Sequence, residues 1–141
     1  MSARDPGPPS AGPAALPPLD YRTAFEQAPI GLMLSRERLV TDANALALAI
    51  FGADRAQLVG RSFEQLYPST GEFERTGERI AVQLDARGWY ADDRVMKRLG
   101  GAQAGELFWC HVSGRALDPV RPHAASICAF DDLSSRRLLR V

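Results

Sequence analysis

Three β segments in close succession, over residues 90–98, 107–117 and 124–131, constrain this chain more than any other feature. They are separated by Gly100-Gly101 with a small-residue extension and by the stretch from Pro119 to Pro122. Two further strands come early, over 31–35 and 39–43, joined through the charged turn at Arg36 and Glu37 and so close in sequence that they form a hairpin. Between the two groups only helical patterns occur. Asn44 is a good N-cap, and Leu46, Ala49 and Ile50 keep helical spacing up to Gly52, which supplies a left-handed stop. A second short turn spans 54–58 and ends at Gly60. The longest pattern covers 73–86, includes Ile80 and Leu84, and is closed by Gly88. A short helix from Tyr21 precedes the hairpin and stops near Ala28, because Pro29 pushes its predecessor out of the helical region. Strand, strand, helices, then three strands specifies an α+β fold: a five-stranded antiparallel sheet with helices on one face and a short N-terminal helix.

At 141 residues, 45% of them hydrophobic, the chain suits one domain with its own core. Lys plus Arg and Asp plus Glu both number 17, so no long-range field draws it to nucleic acid or anionic lipid, and direct nucleic-acid binding is not expected. Two cysteines without a signal peptide place it in the reducing cytoplasm. No apolar run approaches the roughly 20 residues of a membrane span, so no membrane insertion is expected. Six of the ten prolines precede Asp20, and missing amide donors with fixed φ angles make residues 1–19 a disordered leader.

Several pieces, in order, resemble a known family. Phe25-Glu26-Gln27-Ala28-Pro29-Ile30-Gly31 resembles the start of PAS domains, where a short helix breaks at a proline before the first strand. Asn44, Phe51-Gly52, Leu58-Val59-Gly60 and Leu66-Tyr67-Pro68 follow in PAS order. Phe108-Trp109-Cys110-His111-Val112-Ser113-Gly114 is similar to the fourth PAS strand, and Asp132-Leu133-Ser134 to the junction that launches a signalling helix. The resemblance spans 21–137 and implies a PAS domain over 20–134, with 135–141 starting a signalling helix or linker. Two departures lie in loops: Arg36-Glu37-Arg38 stands where a glycine is expected, and Ala102-Gln103-Ala104-Gly105-Glu106 lengthens the turn before Leu107. No output domain follows Arg137, which implies an excised sensor or a stand-alone one acting through an output domain on another, regulatory protein.

The resemblance also frames the chemistry. A haem-sensing PAS presents a histidine from its long helix, and this one has none. The asparagine-cysteine-arginine motif of flavin-binding relatives is absent, so neither haem nor flavin is expected. By family analogy Phe108, Cys110, Val112 and Gly114 face inward and Trp109, His111 and Ser113 outward, since strand neighbours diverge. Cys110, His111, His123 and Cys128 suit zinc by type, but pairing Asp118 with His123 sets Cys128 opposite Ser113, roughly 10 Å from Cys110 at about 3.3 Å per residue. No metal site follows. Neighbouring carboxylates such as Asp92-Asp93 and Asp131-Asp132 diverge likewise, and no catalytic motif accompanies them.

What remains is an internal apolar site lined by Met33, Asn44, Leu46, Ile50, Ile80, Leu84, Val95, Phe108, Cys110, Val112, Cys128 and Phe130, with Ser126 as a second polar contact beside Asn44. Either these residues enclose a pocket for a small, largely apolar ligand, or they pack as a filled core. The register of the strand at 90–98 stays open: one of Asp93 and Val95 faces the pocket while Arg94 and Met96 face away. Met96, Trp109, His111, Ile127 and Ala129, with Phe25, make an apolar face that receives either a second copy, giving a homodimer, or the chain's own first helix. The function expected is ligand sensing relayed through that interface and through Asp132, Leu133 and Ser134, without catalysis. The alternatives are a ligand-free dimerisation module, or a small pocket enzyme that would need Asp93 inside the cavity.

Overall fold

The computed structural model describes residues 16, 19–118 and 120–134. Apart from Leu16 and Leu19, the leader over 1–19 and the signalling helix over 135–141 lie outside these residues. The order is α1 (Tyr21–Gln27), β1 (Gly31–Arg36), β2 (Leu39–Ala43), α2 (Ala45–Phe51), α3 (Arg55–Leu58), a 3-10 turn (Phe63–Leu66), α4 (Thr70–Arg87), β3 (Trp89–Lys97), β4 (Leu107–Ala116) and β5 (Ala125–Asp132). The five strands form one antiparallel sheet in the order β2-β1-β5-β4-β3.

Local chemistry sets most boundaries. The Asn44 side chain accepts from the Ala47 amide to start α2, and Gly52 ends it at φ 63°. Gly52 also touches the β3–β4 loop closely: a Cβ here would overlap the carbonyl of Gly100. Asp54 and Gln57 satisfy each other's amides in a capping box for α3. The long helix begins at Thr70 rather than near Phe73 because the Ser69 hydroxyl accepts from the Glu72 amide; Gly88 closes it at φ 81°.

The β1–β2 hairpin turns on two residues, with Arg36 paired to Leu39. Such turns require positive φ at both central positions, and Glu37 (50°) and Arg38 (69°) adopt it without glycine. A left-handed non-glycine residue costs about 1–2 kcal/mol, of which glycine's greater unfolded freedom returns about 0.5–1 kcal/mol. Arg38→Gly is therefore expected to stabilise the fold by about 0.5–1 kcal/mol in urea denaturation; a destabilised variant would show that the Arg38 side chain holds the turn.

Two registers differ from expectation. In β3, Val95 pairs with Trp109 and Met96 with Phe108. Directly opposed residues share a face, so Met96 (1% exposed) and Arg94 (6%) point inward, while Asp93 and Val95 lie on the outer side with Trp109. In β5, Cys128 pairs with Gly114 and not Ser113. The cause is Asp118, whose carboxylate accepts from the Val120 and Arg121 amides and so starts a turn instead of extending the ladder toward His123.

The core under the sheet divides in two. Beneath α2 it is a filled plug: Phe51, fully buried, meets Phe108 and Phe130 edge-on at 5.7 and 5.4 Å, among Met33, Ala43, Ala47 and Cys110. Beneath α4 the packing opens.

Candidate functional site

A partly open cavity of about 80 Å³ lies between α4, the 3-10 turn and the inner face of the sheet. α4 contributes Phe73, Gly77, Ile80 and Leu84, a stripe at helical spacing; β3 contributes Tyr90, Arg94 and Met96; Val112, Ser126, Cys128 and Phe130 come from β4 and β5. Phe63 and Tyr67 close one side, and Ser35, Arg38, Pro122 and His123 the other. Phe130 is the partition, facing the cavity and also the ring of Phe51.

Of the residues expected to line a pocket, Ile80, Leu84, Val112, Cys128, Phe130 and Ser126 do so. Met33, Phe108 and Cys110 belong to the plug and Ile50 packs against it, because α2 lies on that end of the sheet. Leu46 faces solvent at 38% exposure. Val95 is on the outer face for the register reason above. Asn44 is buried but occupied in the scaffold: it accepts from the Leu32 and Ala47 amides and donates to the carbonyls of Phe25 and Ile30. Tyr90 and Arg94 were concealed by the mixed polarity of Asp92-Asp93-Arg94-Val95; the stripe ending at Ile80 and Leu84 carried a readable signal for Phe73 and Gly77.

Polar groups gather on one wall. Arg94 donates from Nε to Asp92 (2.7 Å) and from Nη1 to the Tyr67 hydroxyl (2.8 Å). Burial opposes its charge, but Tyr67, Asp92 and Tyr90 outweigh burial and raise its pKa further. Burial raises the pKa of both Tyr67 and Tyr90, so they remain phenols. Tyr90 lies against Gly114, where a Cβ would strike its ring, and its hydroxyl is 3.5 Å from Cys128 Sγ. Both cysteines are buried and free; burial pushes the Cys110 thiol up to about 12 and raises that of Cys128, so neither is a thiolate nucleophile. Among the described residues no group of three or more His, Cys, Asp or Glu could hold a metal ion. Asp93, the acid a pocket enzyme would need, points outward and lies 2.7 Å from His111 Nδ1.

The C-terminal junction is clamped by a residue the sequence did not single out. Arg98 donates to Asp132 (2.9 Å), to Glu106 (2.9 Å) and to the Ile50 carbonyl (2.7 Å), with its guanidinium 3.9 Å over the Phe108 ring. Asp132 in turn accepts from the Ser134 amide, and the buried Leu133 donates its amide to the Trp109 carbonyl. Burial works against the Asp132 carboxylate, but Ser134 and Arg98 prevail and hold its pKa below the ordinary 3.8. Asp42 is likewise lowered: burial opposes, and the Ala43 amide, Arg22 and Arg55 prevail. Carboxyls with depressed folded pKa values stabilise above the unfolded value and lose that stabilisation as pH falls through the folded one. The thermal midpoint is therefore expected to fall as pH drops below about 4, with the Ser134 amide among the first to lose exchange protection; a midpoint independent of pH there would contradict the clamp.

On the outer face, Trp109 is 42% exposed beside Val95, and half-buried Ile127 and Ala129 pair with Leu34 and Leu32 of β1. His111 shares this face; Met96 does not. Phe25 lies away from it, since α1 packs on α2 and the Phe25 carbonyl is held by Asn44. No helix among the described residues is long and apolar enough to cross a membrane.

Comparison with known proteins agrees with this architecture. The family model described as PAS domain matches residues 20–83. The sensor protein TdiS of Thauera aromatica is 27% identical over 121 residues; the match covers 86% of this chain but 21% of the sensor's length. A PAS domain of a LuxR-family transcriptional regulator from Burkholderia thailandensis, solved in complex with ethanol, is 60% identical, with TM-score 0.76 over 82% of this chain and 99% of that one. A PAS domain from Colwellia psychrerythraea, 14% identical with TM-score 0.71 over 82% of this chain and 95% of its own, shares the fold. The sheet order, the helical face and a 60% identical relative covered almost end to end lead to one conclusion: this chain belongs to the PAS-domain family.

Proposed function

We propose that this chain is a cytosolic, non-catalytic sensory module that binds a small molecule in the cavity under the sheet and reports its presence to an output domain or a separate regulatory protein. The observation that carries this reading is the position of Phe130, which walls the cavity two residues before Asp132 enters the Arg98 clamp. An occupant that shifts Phe130 is coupled by one stretch of β5 to the junction. It acts as a switch only if it binds the clamped and released arrangements with different affinity. The Burkholderia relative was obtained with ethanol, a molecule small enough for a cavity of about 80 Å³, and sensors and transcriptional regulators are the proteins in which such relatives occur. Among the described residues the cavity lining holds no Asp or Glu to pair with His123, which favours binding over acid-base catalysis.

The test is Asp132→Ala in a regulator that carries this domain with its output. Ligand binding should persist while the output response is lost; an unchanged response would overturn the relay. A native mass spectrum of the purified chain shows whether a small molecule is retained. A homodimer across the outer face is the companion reading, supported by the exposed Trp109 beside Val95 and, further along the same face, by Ile127 beside Leu34. Trp109→Glu should convert a sedimenting dimer into monomer; a monomeric parent protein removes the dimer from the mechanism.

A further inference from the structure

Among the described residues the cavity is lined by two arginines and by no carboxylate. Asp92, the acid that meets Arg94, is also held by Arg79 through a 3.0 Å bond to its other oxygen. Two guanidinium groups thus share one carboxylate; Arg79 is half exposed to water, and Arg94 is the buried member of the group. Arg94 Nη2 is buried and has no hydrogen-bond partner among the described residues: Asp92 Oδ1 is 2.7 Å away but poorly aligned. The Tyr67 hydroxyl accepts from Arg94, so its own proton is free to donate. Arg38 also lines the cavity, against Gly77, and is in no ion pair with a described residue.

Ile80, Leu84, Met96 and Phe130 give the wall an apolar stretch, while Ser35, Tyr90, His123 and Ser126 are its further polar residues. One buried guanidinium and one phenol suit a single carboxylate. At about 10–15 Å³ per enclosed water, a cavity of about 80 Å³ holds roughly five to eight non-hydrogen atoms. We propose that the cavity takes a short-chain monocarboxylate of about three to six carbons, its carboxylate on Arg94 Nη2 and Tyr67 Oη and its hydrocarbon against Ile80, Leu84, Met96 and Phe130. The proposal rests on the small-molecule reading above and changes its ligand from a largely apolar molecule to an anion.

Isothermal titration of the full chain with propionate, butyrate and valerate, each against its primary amide and with 1-butanol as a neutral control, tests it at constant ionic strength. A charge-assisted bond to a buried cation should make at least one acid bind about tenfold or more tighter than its amide. Arg94→Gln should erase that preference, and Tyr67→Phe should reduce it. The wild-type comparison of acid with amide decides the matter even where a variant does not fold. Amide or butanol binding as tightly as the acids overturns the carboxylate proposal and leaves small-molecule sensing standing. No binding by any probe also overturns it, and sensing is then judged separately by the mass of any retained molecule in the native spectrum.

Discussion

Phe51→Ala is expected to lower stability by about 3–5 kcal/mol, the usual cost of emptying a large aromatic site in a core, and to depress the thermal midpoint by roughly 10 °C or more. Phe51 is fully buried and edge-packed on both Phe108 and Phe130. Its backbone carbonyl also receives the amides of Leu99 and Gly100, fixing the ring from a rigid point. Little can collapse into the void, because α2 already approaches the sheet closely: a Cβ on Gly31 would press on Ala47 and Ile50. Removing the ring also frees Phe130, so the cavity should enlarge into the plug. Chemical denaturation measures the first effect, and a loss below about 1 kcal/mol would mean the two halves of the core are not separated as described.

Asn44→Leu is expected to be as damaging, at about 3–5 kcal/mol, by a different mechanism. Four backbone groups depend on this one amide: the Leu32 and Ala47 N–H groups and the Phe25 and Ile30 carbonyls. Each buried group left without a partner costs about 1–3 kcal/mol. Leucine has similar size, so the loss comes from hydrogen bonding rather than packing. Asn44→Ser should recover about 1 kcal/mol, because a hydroxyl still caps α2 but is too short to donate to both carbonyls. Hydrogen exchange at the Leu32 amide separates the variants: it should accelerate in both, whereas protection at Ala47 should return only with serine. Equal protection at Leu32 in all three proteins would remove Asn44 from its role as the tie between α1, β1 and α2.

These two residues also mark how far the sequence could be read. The cap at Asn44, the stop at Gly52, the break before Pro29 and the close of α4 at Gly88 were legible because each depends on the chemistry of a few adjacent residues. The antiparallel five-stranded sheet followed from the sequence of elements, though not the pairing of β1 with β5, and the alternation of Phe108, Cys110 and Val112 with Trp109 and His111 followed from the two-residue period of β4. The other duties of Asn44 were not legible, since Phe25, Ile30 and Leu32 are brought to it only by the fold.

The same division runs through the site. Composition and period marked which residues are apolar and which faces they share; they did not say that α2 would fill one half of the sheet's inner face while α4 leaves the other half open. Nor did they place Arg94 inside or Arg98 at the junction, because a buried cation breaks the hydrophobic pattern on which strand parity is read and is tolerated only where distant partners surround it. Those partners, Tyr67 and Asp92 for the first, Ile50, Glu106 and Asp132 for the second, meet their arginines through tertiary packing alone. Local chemistry therefore determined the elements and their order, while the cavity, its charge and its link to the C-terminal junction were decided by contacts between residues far apart in the chain.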